Sequence, residues 1–237
     1  MTAGPGRPAN LLNPHRKGPA IIAHQGGNTP RQVRDALAHV ADHLEVDLWV
    51  EGGRFEARHD KLLRPLPVLW GGLYRFRWAP KRPFGLVELL AETGHGPGLL
   101  LDMKNGGASA GQLLRRAIDR AGQPAPRIAA SSQLWSVLRG IGEHAPEVAL
   151  FYSIDVRAKL DLFLSVAERD THPRGVSCKH TLLNESLVRM LHDRGYLVVA
   201  WTVDDADRAW ELARWGVDGI TTNVVPRIRD RFSALQT

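Results

Sequence analysis

Apolar runs rich in strand-forming residues alternate with amphipathic stretches along most of the 237-residue chain. Eight runs are typical of buried strands, and they cover residues 20–24, 44–50, 99–104, 127–131, 148–153, 175–179, 197–203 and 219–223. Capped helical patterns lie between several of them, over residues 30–43, 109–122, 184–195 and 204–216. The alternation predicts an α/β fold with a parallel sheet, and eight strands are the number that closes a (β/α)8 barrel.

A doubly wound open sheet is the alternative fold in which strands and helices alternate in this way. Open sheets that bind dinucleotides have a glycine-rich fingerprint after the first strand, and nucleotide-binding P-loops have the pattern GxxxxGK[ST]. The sequence contains neither pattern. We therefore expect a TIM barrel, with its functional groups at the C-terminal ends of the strands.

The first 18 residues are rich in Pro, Gly and Ala and lack the apolar core of a secretory signal. We expect a flexible tail over 1–18 and a single barrel domain over 19–237. The only cysteine, Cys178, excludes an internal disulfide and fits a cytoplasmic protein. No apolar run reaches the roughly 18 residues that a transmembrane helix needs.

A net charge of +6 is compatible with nucleic acid, anionic lipid or a phosphorylated substrate as partner. The arginines of 115–122 and 227–232 alternate with acidic and apolar residues, which is typical of solvated helix faces. No nucleic-acid-binding motif is present. We expect a small-molecule phosphodiester as substrate and no nucleic-acid partner; the sequence leaves the oligomeric state open.

One segment interrupts the alternation. Residues 61–84 are rich in proline and combine aromatic with cationic side chains, namely Trp70, Tyr74, Phe76, Trp78, Arg75, Arg77, Lys81 and Arg82. We expect a long loop after the second strand. Two interpretations stay open: the loop packs on itself as a cover over the barrel rim, or it contacts a phosphorylated or lipid-like substrate.

Two acidic residues share one face of the second predicted strand. Side chains alternate along a strand, so Glu45 and Asp47 point opposite to Val46 and Leu48, toward the barrel mouth. Two carboxylates buried side by side repel each other and lose hydration, which is costly unless a cation compensates. The pattern favours a metal site over its alternative, an edge strand with one wet face.

The third predicted strand repeats this arrangement with Asp102 and Lys104 on one face. Asp102 would complete an all-oxygen site with Glu45 and Asp47, of the kind that Mg²⁺ or Ca²⁺ prefers. Lys104 would then lie beside the site as a point charge for a phosphate oxygen. An ordinary Asp102–Lys104 ion pair fits the spacing equally well.

Two histidines end predicted strands. His24 precedes Gly26–Gly27, and His59 ends a short extra strand over 55–59. A strand-end histidine before an ordinary turn is also a common structural feature. Two imidazoles near one rim indicate paired proton transfer, in which one deprotonates the nucleophile and the other protonates the leaving oxygen. His39 and His43 lack a third zinc ligand, so we expect them on a surface helix face.

The motifs AHQGG, LEVDLWV, RHD, LDMK, WTVDD and GVDGITTNVVP follow one another between about residues 20 and 226. In this order they resemble the glycerophosphodiester phosphodiesterase family, which has HRG, E-x-D, HD, acid-x-Lys, WTV and GVDGI motifs. The resemblance implies a (β/α)8 barrel that cleaves phosphodiesters with a divalent metal and two histidines. It implies these roles: metal ligands Glu45, Asp47 and Asp102; acid–base residues His24 and His59; substrate-binding residues Lys104, Gln25 and Trp201.

The sequence departs from the family pattern at several positions. Gln25 replaces an arginine, which removes a bidentate phosphate clamp but keeps hydrogen-bond donors. GGNTPRQ lacks the family's glutamate after the diglycine, and Asn223 stands where aspartate is common. Asp102 replaces a glutamate, and D-x-K at this place is similar to spider-venom sphingomyelinase D. These changes bear on substrate identity more than on chemistry.

The sequence therefore predicts a metal-dependent phosphodiesterase that hydrolyses glycerophosphodiesters to an alcohol and glycerol phosphate. His24 is the expected base and His59 the expected acid, although the residues allow the reverse assignment. One alternative is a lysophospholipase D-like enzyme, which the aromatic residues of 61–84 favour. Another is a catalytically impaired barrel that binds a phosphorylated ligand, which the missing arginine and glutamate favour.

Overall fold

The computed structural model describes residues 12, 18–72, 74–94, 96–122, 127–167, 169–170 and 172–233. The strands are β1 (Ala20–Ala23), β2 (His43–Glu51), β3 (Arg54–Ala57), β4 (Lys61–Leu63), β5 (Val68–Trp70), β6 (Phe76–Trp78), β7 (Gly98–Met103), β8 (Ile128–Ser132), β9 (Ala149–Ile154), β10 (Pro173–Lys179), β11 (Leu197–Trp201) and β12 (Gly219–Thr222). The helices are α1 (Pro30–Ala38), α2 (Leu86–Thr93), α3 (Ser109–Ala121), α4 (Trp135–His144), α5 (Arg157–Val166), α6 (Glu185–Asp193), α7 (Ala206–Trp215) and α8 (Val225–Ser233).

Eight parallel strands close into a barrel. Their order around the barrel is β1, β12, β11, β10, β9, β8, β7, β2, and β2 pairs again with β1. The register at the closure sets Ala20 beside Gly219 and Ile22 beside His43. Closure pairs every strand on both sides. The predicted (β/α)8 TIM barrel is confirmed.

Two apolar layers follow from the alternation of side chains along each strand. One face of β2 and β7, including Val46 and Leu101, packs beneath the helices. The other face points into the barrel, where Ile22, Leu100 and Phe151 fill the lower interior. The inward face of the strands is therefore apolar low in the barrel and polar near its mouth.

The first helix is shorter than its pattern predicts. The side chain of Thr29 caps α1 by accepting from the Gln32 N–H, and the helix ends at Ala38 rather than at residue 43. Val40 takes φ 55°, which turns the chain into β2. His43 is buried at the start of that strand, with Nε2 2.7 Å from the Leu12 carbonyl oxygen, so its predicted place on a surface helix is wrong.

Residues 61–84 are not an irregular loop, contrary to the prediction. Strands β4, β5 and β6 form an antiparallel three-stranded sheet, which we call the small sheet. Leu62 pairs with Leu69, and Trp70 pairs with Phe76. The runs of three residues are too short for the alternation to be recognised among prolines and glycines.

In the part of the chain that the structure describes, no helix combines the length and apolarity needed to cross a membrane. The division into a tail over 1–18 and one domain over 19–237 stays a prediction. Of that tail, residues 1–11 and 13–17 lie outside the described residues, as does His95, which we expect at the surface.

Candidate active site

Three carboxylates converge at the barrel mouth because β2 and β7 are neighbours in parallel register. Asp47 lies directly beside Asp102 across the two strands, and Glu45 lies two residues below Asp47 on the same face. One oxygen from each of the three carboxylates lies within 4.8 Å of the others. Burial raises the pKa of Glu45 well above its usual value, and the charges of Asp47 and Asp102 raise it further.

Lys104 lies against two of these acids. Its Nζ is 2.6 Å from Asp47 Oδ1 and 2.5 Å from Asp102 Oδ2. Burial alone would lower the pKa of Lys104, but the charges of Asp102 and Asp47 outweigh that effect and raise it. When all three carboxylates are ionised, Lys104 leaves two of their negative charges uncompensated. An all-oxygen donor set with this charge fits a hard dication.

The diglycine after β1 permits a close approach to β2. A Cβ on Gly27 would lie 2.8 Å from Val46 Cβ, and one on Gly26 would lie 2.8 Å from Ala23 Cβ. Any side chain here would therefore push the loop off the sheet. At its observed position the loop donates the Gln25 N–H to Glu45 Oε2 at 2.6 Å, which orients one of the acids.

Asn28 orients a second acid. Its Nδ2 donates to Asp47 Oδ2 at 2.7 Å, and its Oδ1 accepts from the Asp47 N–H at 2.8 Å. The side chain is 5% exposed. Sequence reasoning missed Asn28, and the one available signal was a polar side chain directly after a diglycine that ends a buried strand.

A hydrogen-bonded chain fixes His24. Its Nδ1 is 2.9 Å from Asn223 Oδ1, while Asn223 Nδ2 donates to Asp204 Oδ2 at 2.7 Å. Because an ionised carboxylate only accepts, the amide nitrogen of Asn223 must face Asp204 and its oxygen must face His24. Neutral His24 is therefore protonated on Nδ1, and Nε2 is free to accept a proton.

Asp204 is ionised in this chain. Burial alone would raise the pKa of Asp204, but hydrogen bonds from Asn223 and Thr222 and the charge of His24 outweigh burial and lower it. Sequence reasoning missed Asp204 and noted Asn223 only as a departure from the family pattern. Both follow strands of the barrel, β11 and β12, whose ends meet beside His24.

His59 lies two residues beyond β3, not within the strand as the sequence predicted. Its Nδ1 is 3.3 Å from Asp60 Oδ1, and the other oxygen of Asp60 accepts from Arg77 Nε at 2.8 Å. Arg77 belongs to β6, so the small sheet is attached beside His59.

The three acids, Lys104 and both histidines line one cavity of about 200 Å³, which we call the acidic cavity. Its predicted site residues are His24, Glu45, Asp47, His59, Asp102, Lys104 and Trp201. Hydroxyls from neighbouring strands complete the wall, and buried Thr221 Oγ1 has no hydrogen-bond partner among the described residues. That hydroxyl is free to donate to a ligand oxygen.

A second, wider cavity of about 960 Å³ adjoins the first, and we call it the groove. His59 lines both cavities. The side of the groove away from the barrel is formed by the small sheet and the residues after it, including Trp78, Arg82 and Phe84. Gln25 lines the groove and not the acidic cavity, so the structure separates it from the other predicted substrate-binding residues.

Comparison with known proteins shows to which family the chain belongs. The model of the glycerophosphoryl diester phosphodiesterase family matches residues 104–226, slightly more than half of the chain. The chain belongs to this family. The predicted membership and the enzyme class, phosphoric diester hydrolase, are confirmed at the level of the family. The matched range begins at Lys104, so the two histidines and three acids precede it and their roles stay predictions.

One curated relative matches over a short stretch. Glycerophosphodiester phosphodiesterase GDPD4 of Arabidopsis thaliana is 44% identical over 50 residues. That stretch is 21% of this chain and 15% of the relative, so the chain spans only a small part of that protein's length. The similarity to sphingomyelinase D at Asp102 and Lys104 stays a prediction.

Solved structures share the fold. A Silicibacter pomeroyi protein superposes with a TM-score of 0.79 at 20% identity, covering 96% of this chain and 98% of that one. An Oleispira antarctica phosphodiesterase in complex with the product sn-glycerol-3-phosphate gives 0.72 at 18%, covering 91% and 97%. Glycerophosphodiester phosphodiesterase from Thermotoga maritima gives 0.70 at 18%, covering 91% and 99%.

Proposed function

We propose that the protein is a metal-dependent phosphodiesterase that hydrolyses glycerophosphodiesters to an alcohol and glycerol phosphate. The supporting observation is that three carboxylates and two imidazoles line one cavity in a member of this family. Glu45, Asp47 and Asp102 would hold Mg²⁺ or Ca²⁺. When bound, the cation supplies Lewis-acid polarisation of a non-bridging phosphate oxygen.

His24 is the general base of this proposal. Its Nε2 takes the proton from the nucleophile, which is either water or a substrate hydroxyl next to the phosphate. In the second case a cyclic phosphate forms first. The Nδ1–H bond to Asn223 keeps the ring in the tautomer that can accept. Such a base contributes about 100- to 10,000-fold to the rate.

His59 is the general acid of this proposal. It gives a proton to the leaving alcohol oxygen, and its position between the acidic cavity and the groove supports this role. An alcohol that departs into the groove passes His59. Lys104 offers one positive contact for a phosphate oxygen, Trp201 lines the wall, and Gln25 offers hydrogen bonds to the alcohol from the groove.

A lysophospholipase D-like activity is the second candidate. The groove favours it, because its volume of about 960 Å³ and its apolar residues Leu69, Trp78 and Phe84 suit an acyl chain better than a small alcohol. A binding-only barrel is the third outcome that a test must separate. A cytoplasmic location and the absence of a nucleic-acid partner stay predictions.

The test compares substrates under identical metal conditions. Glycerophosphocholine and lysophosphatidylcholine are each incubated with Mg²⁺, Ca²⁺ or a chelator, and the released alcohol or choline is measured. We expect metal-dependent turnover that His24→Ala and His59→Ala abolish. His39→Ala is the matched control, because His39 is exposed at the end of α1. If the protein binds metal but turns over no diester, the enzyme hypothesis fails and a barrel that only binds a phosphorylated ligand is the better interpretation.

A further inference from the structure

The two faces of the small sheet differ in what they contact. Leu62, Leu69 and Arg77 alternate onto one face, since Leu69 pairs with both of the others across the strands. Leu69 is 2% exposed, and Arg77 bonds to Asp60 beside His59. This face is therefore turned toward the barrel.

The opposite face is apolar and open to solvent. Between β5 and β6 it contains the pairs Trp70 with Phe76 and Val68 with Trp78, and Lys61 and Leu63 of β4 lie on the same face. Trp70, Phe76 and Trp78 are 43%, 61% and 75% exposed. With Tyr74, they are all of the aromatic residues among the exposed large hydrophobic side chains of the described chain. Exposed apolar clusters of this kind mark interaction surfaces.

The same segment accounts for the net charge of the protein. Residues 61–84 contain six of the 31 lysines and arginines and none of the 25 acidic residues. The remaining 25 cationic and 25 acidic residues balance, so the formal net charge of +6 equals the charge of this segment. Within the described part of the chain, exposed Arg75, Lys81 and Arg82 form no ion pair with an acid.

We propose that the outer face of the small sheet binds the surface of anionic lipid bilayers. Tryptophan and tyrosine favour the headgroup layer, where the ring is apolar on one side and its polar atom stays hydrated. Each Lys or Arg held at an anionic leaflet strengthens binding roughly fivefold. Exposed aromatic side chains in one segment with cations that have no acidic partner among the described residues match both properties of such a surface.

Other occupants fit this face less well. A second copy of the chain would set the cations of one segment that have no acidic partner in the described part of the chain, Arg75, Lys81 and Arg82, against those of the other, and like charges repel. Single-stranded nucleic acid uses aromatic rings as stacking platforms, but aliphatic side chains share this surface, since Val68 pairs with Trp78 and Leu66 is 62% exposed. A hydrocarbon boundary accommodates both kinds of side chain.

Membrane contact here would also orient the active site. The edge of β6 borders the groove, and the groove meets the acidic cavity at His59. A bilayer against the small sheet would lie beside the groove entrance. The binding itself does not depend on the reaction proposed above.

The experiment measures co-sedimentation with vesicles of phosphatidylcholine alone or mixed with phosphatidylglycerol. We expect binding to the mixed vesicles, little to phosphatidylcholine, and weaker binding at high salt. The double variant Lys81→Gln/Arg82→Gln should bind at least tenfold more weakly. Phe76→Ala/Trp78→Ala should also lose binding, and His24→Ala should bind like the wild type, which separates this result from catalysis.

Matched control variants remove charged or apolar side chains that lie outside the small sheet. Arg116→Gln/Arg120→Gln takes two exposed charges from α3, and Leu134→Ala/Leu162→Ala takes two half-exposed apolar side chains. Both should bind like the wild type, and all variants should keep the wild-type circular dichroism. The proposal is overturned by equal binding of all variants, by no binding to anionic vesicles, or by small-sheet-dependent binding to an oligonucleotide instead of vesicles.

Discussion

The two ends of the barrel both bury carboxylates, but with opposite electrostatics. At the N-terminal ends of the strands, Asp218 is fully buried and its Oδ2 accepts from His192 Nε2 at 2.9 Å and from the Val198 N–H at 2.8 Å. Asp42 accepts from the Ile21 N–H at 2.8 Å and pairs with Arg229 at 2.9 Å. At the C-terminal ends, the oxygens of three carboxylates lie within 4.8 Å of one another, and one lysine pairs with only two of them.

This difference separates structural from functional acids. A buried carboxylate that accepts several hydrogen bonds can stabilise the fold, whereas buried carboxylates that face each other destabilise it. Burial raises the pKa of Glu45, and the repulsion from Asp47 and Asp102 raises it further. A bound cation would relieve repulsion of this kind, which supports the proposal that the site lies at the C-terminal ends of the strands.

The largest expected effect is on catalysis at the C-terminal ends of the strands. His24→Ala should lower kcat about 100- to 10,000-fold, because it removes the base that accepts the nucleophile's proton. Its melting temperature should stay close to that of the wild type. Steady-state release of glycerol phosphate measures the effect, and full activity in this variant would remove His24 from the mechanism.

Metal binding should stabilise the folded protein through the acids at the C-terminal ends of the strands. At a concentration of 100 Kd, Mg²⁺ or Ca²⁺ should raise the free energy of unfolding by about 2.7 kcal/mol. Asp102→Asn should abolish this gain, whereas His192→Ala should keep it. Thermal unfolding with and without chelator measures the effect, and an equal gain in both variants would place the cation elsewhere.

Without metal, the pH dependence of stability should reveal Glu45. Its pKa is higher in the folded than in the unfolded protein, so above 4.5 the folded state keeps a proton that the unfolded chain has released. The free energy of unfolding should therefore fall as the pH rises from 4.5 toward the raised pKa. Glu45→Gln should lack this decline, and urea titrations across the pH range would show whether it does.

His192→Ala should lower stability at the N-terminal ends of the strands without changing the rate of the reaction. It removes a hydrogen-bond donor from fully buried Asp218, which should lower the free energy of unfolding by about 2 kcal/mol. His192→Gln, which can still donate, should recover part of the loss. Urea unfolding gives the stability, and an unchanged kcat in the folded variant is the accompanying expectation.

The smallest expected effect tests whether Asp204 positions His24 through Asn223. Asp204→Asn should lower kcat about tenfold at little change in KM, because an amide at position 204 can donate as well as accept and so no longer fixes the orientation of Asn223 toward His24. In the pH profile of kcat/KM, the limb that reports the general base should also shift. Asp205→Asn is the neighbouring control, since Asp205 only caps α7. A profile identical to the wild type would leave Asp204 with a structural role.

The barrel and its acids were predictable because both depend on local periodicity. Alternation along residues 44–50 and 99–104 fixes which side chains face inward, and parallel neighbours bring Asp47 beside Asp102. The small sheet was missed because its three-residue strands pair within a segment broken by prolines. The partners of the site residues were missed because loop geometry decides them: Asn28 reaches Asp47 only after the diglycine turn.

The central claim is that Glu45, Asp47 and Asp102 together hold one divalent cation. Calorimetric titration of the chelator-treated protein with Mg²⁺ and with Ca²⁺ tests it most directly. The account predicts one cation per chain in the wild type and none in Asp47→Asn or Asp102→Asn, with both variants folded. Saturable binding that is unchanged in these variants, or no binding by the wild type, would contradict it.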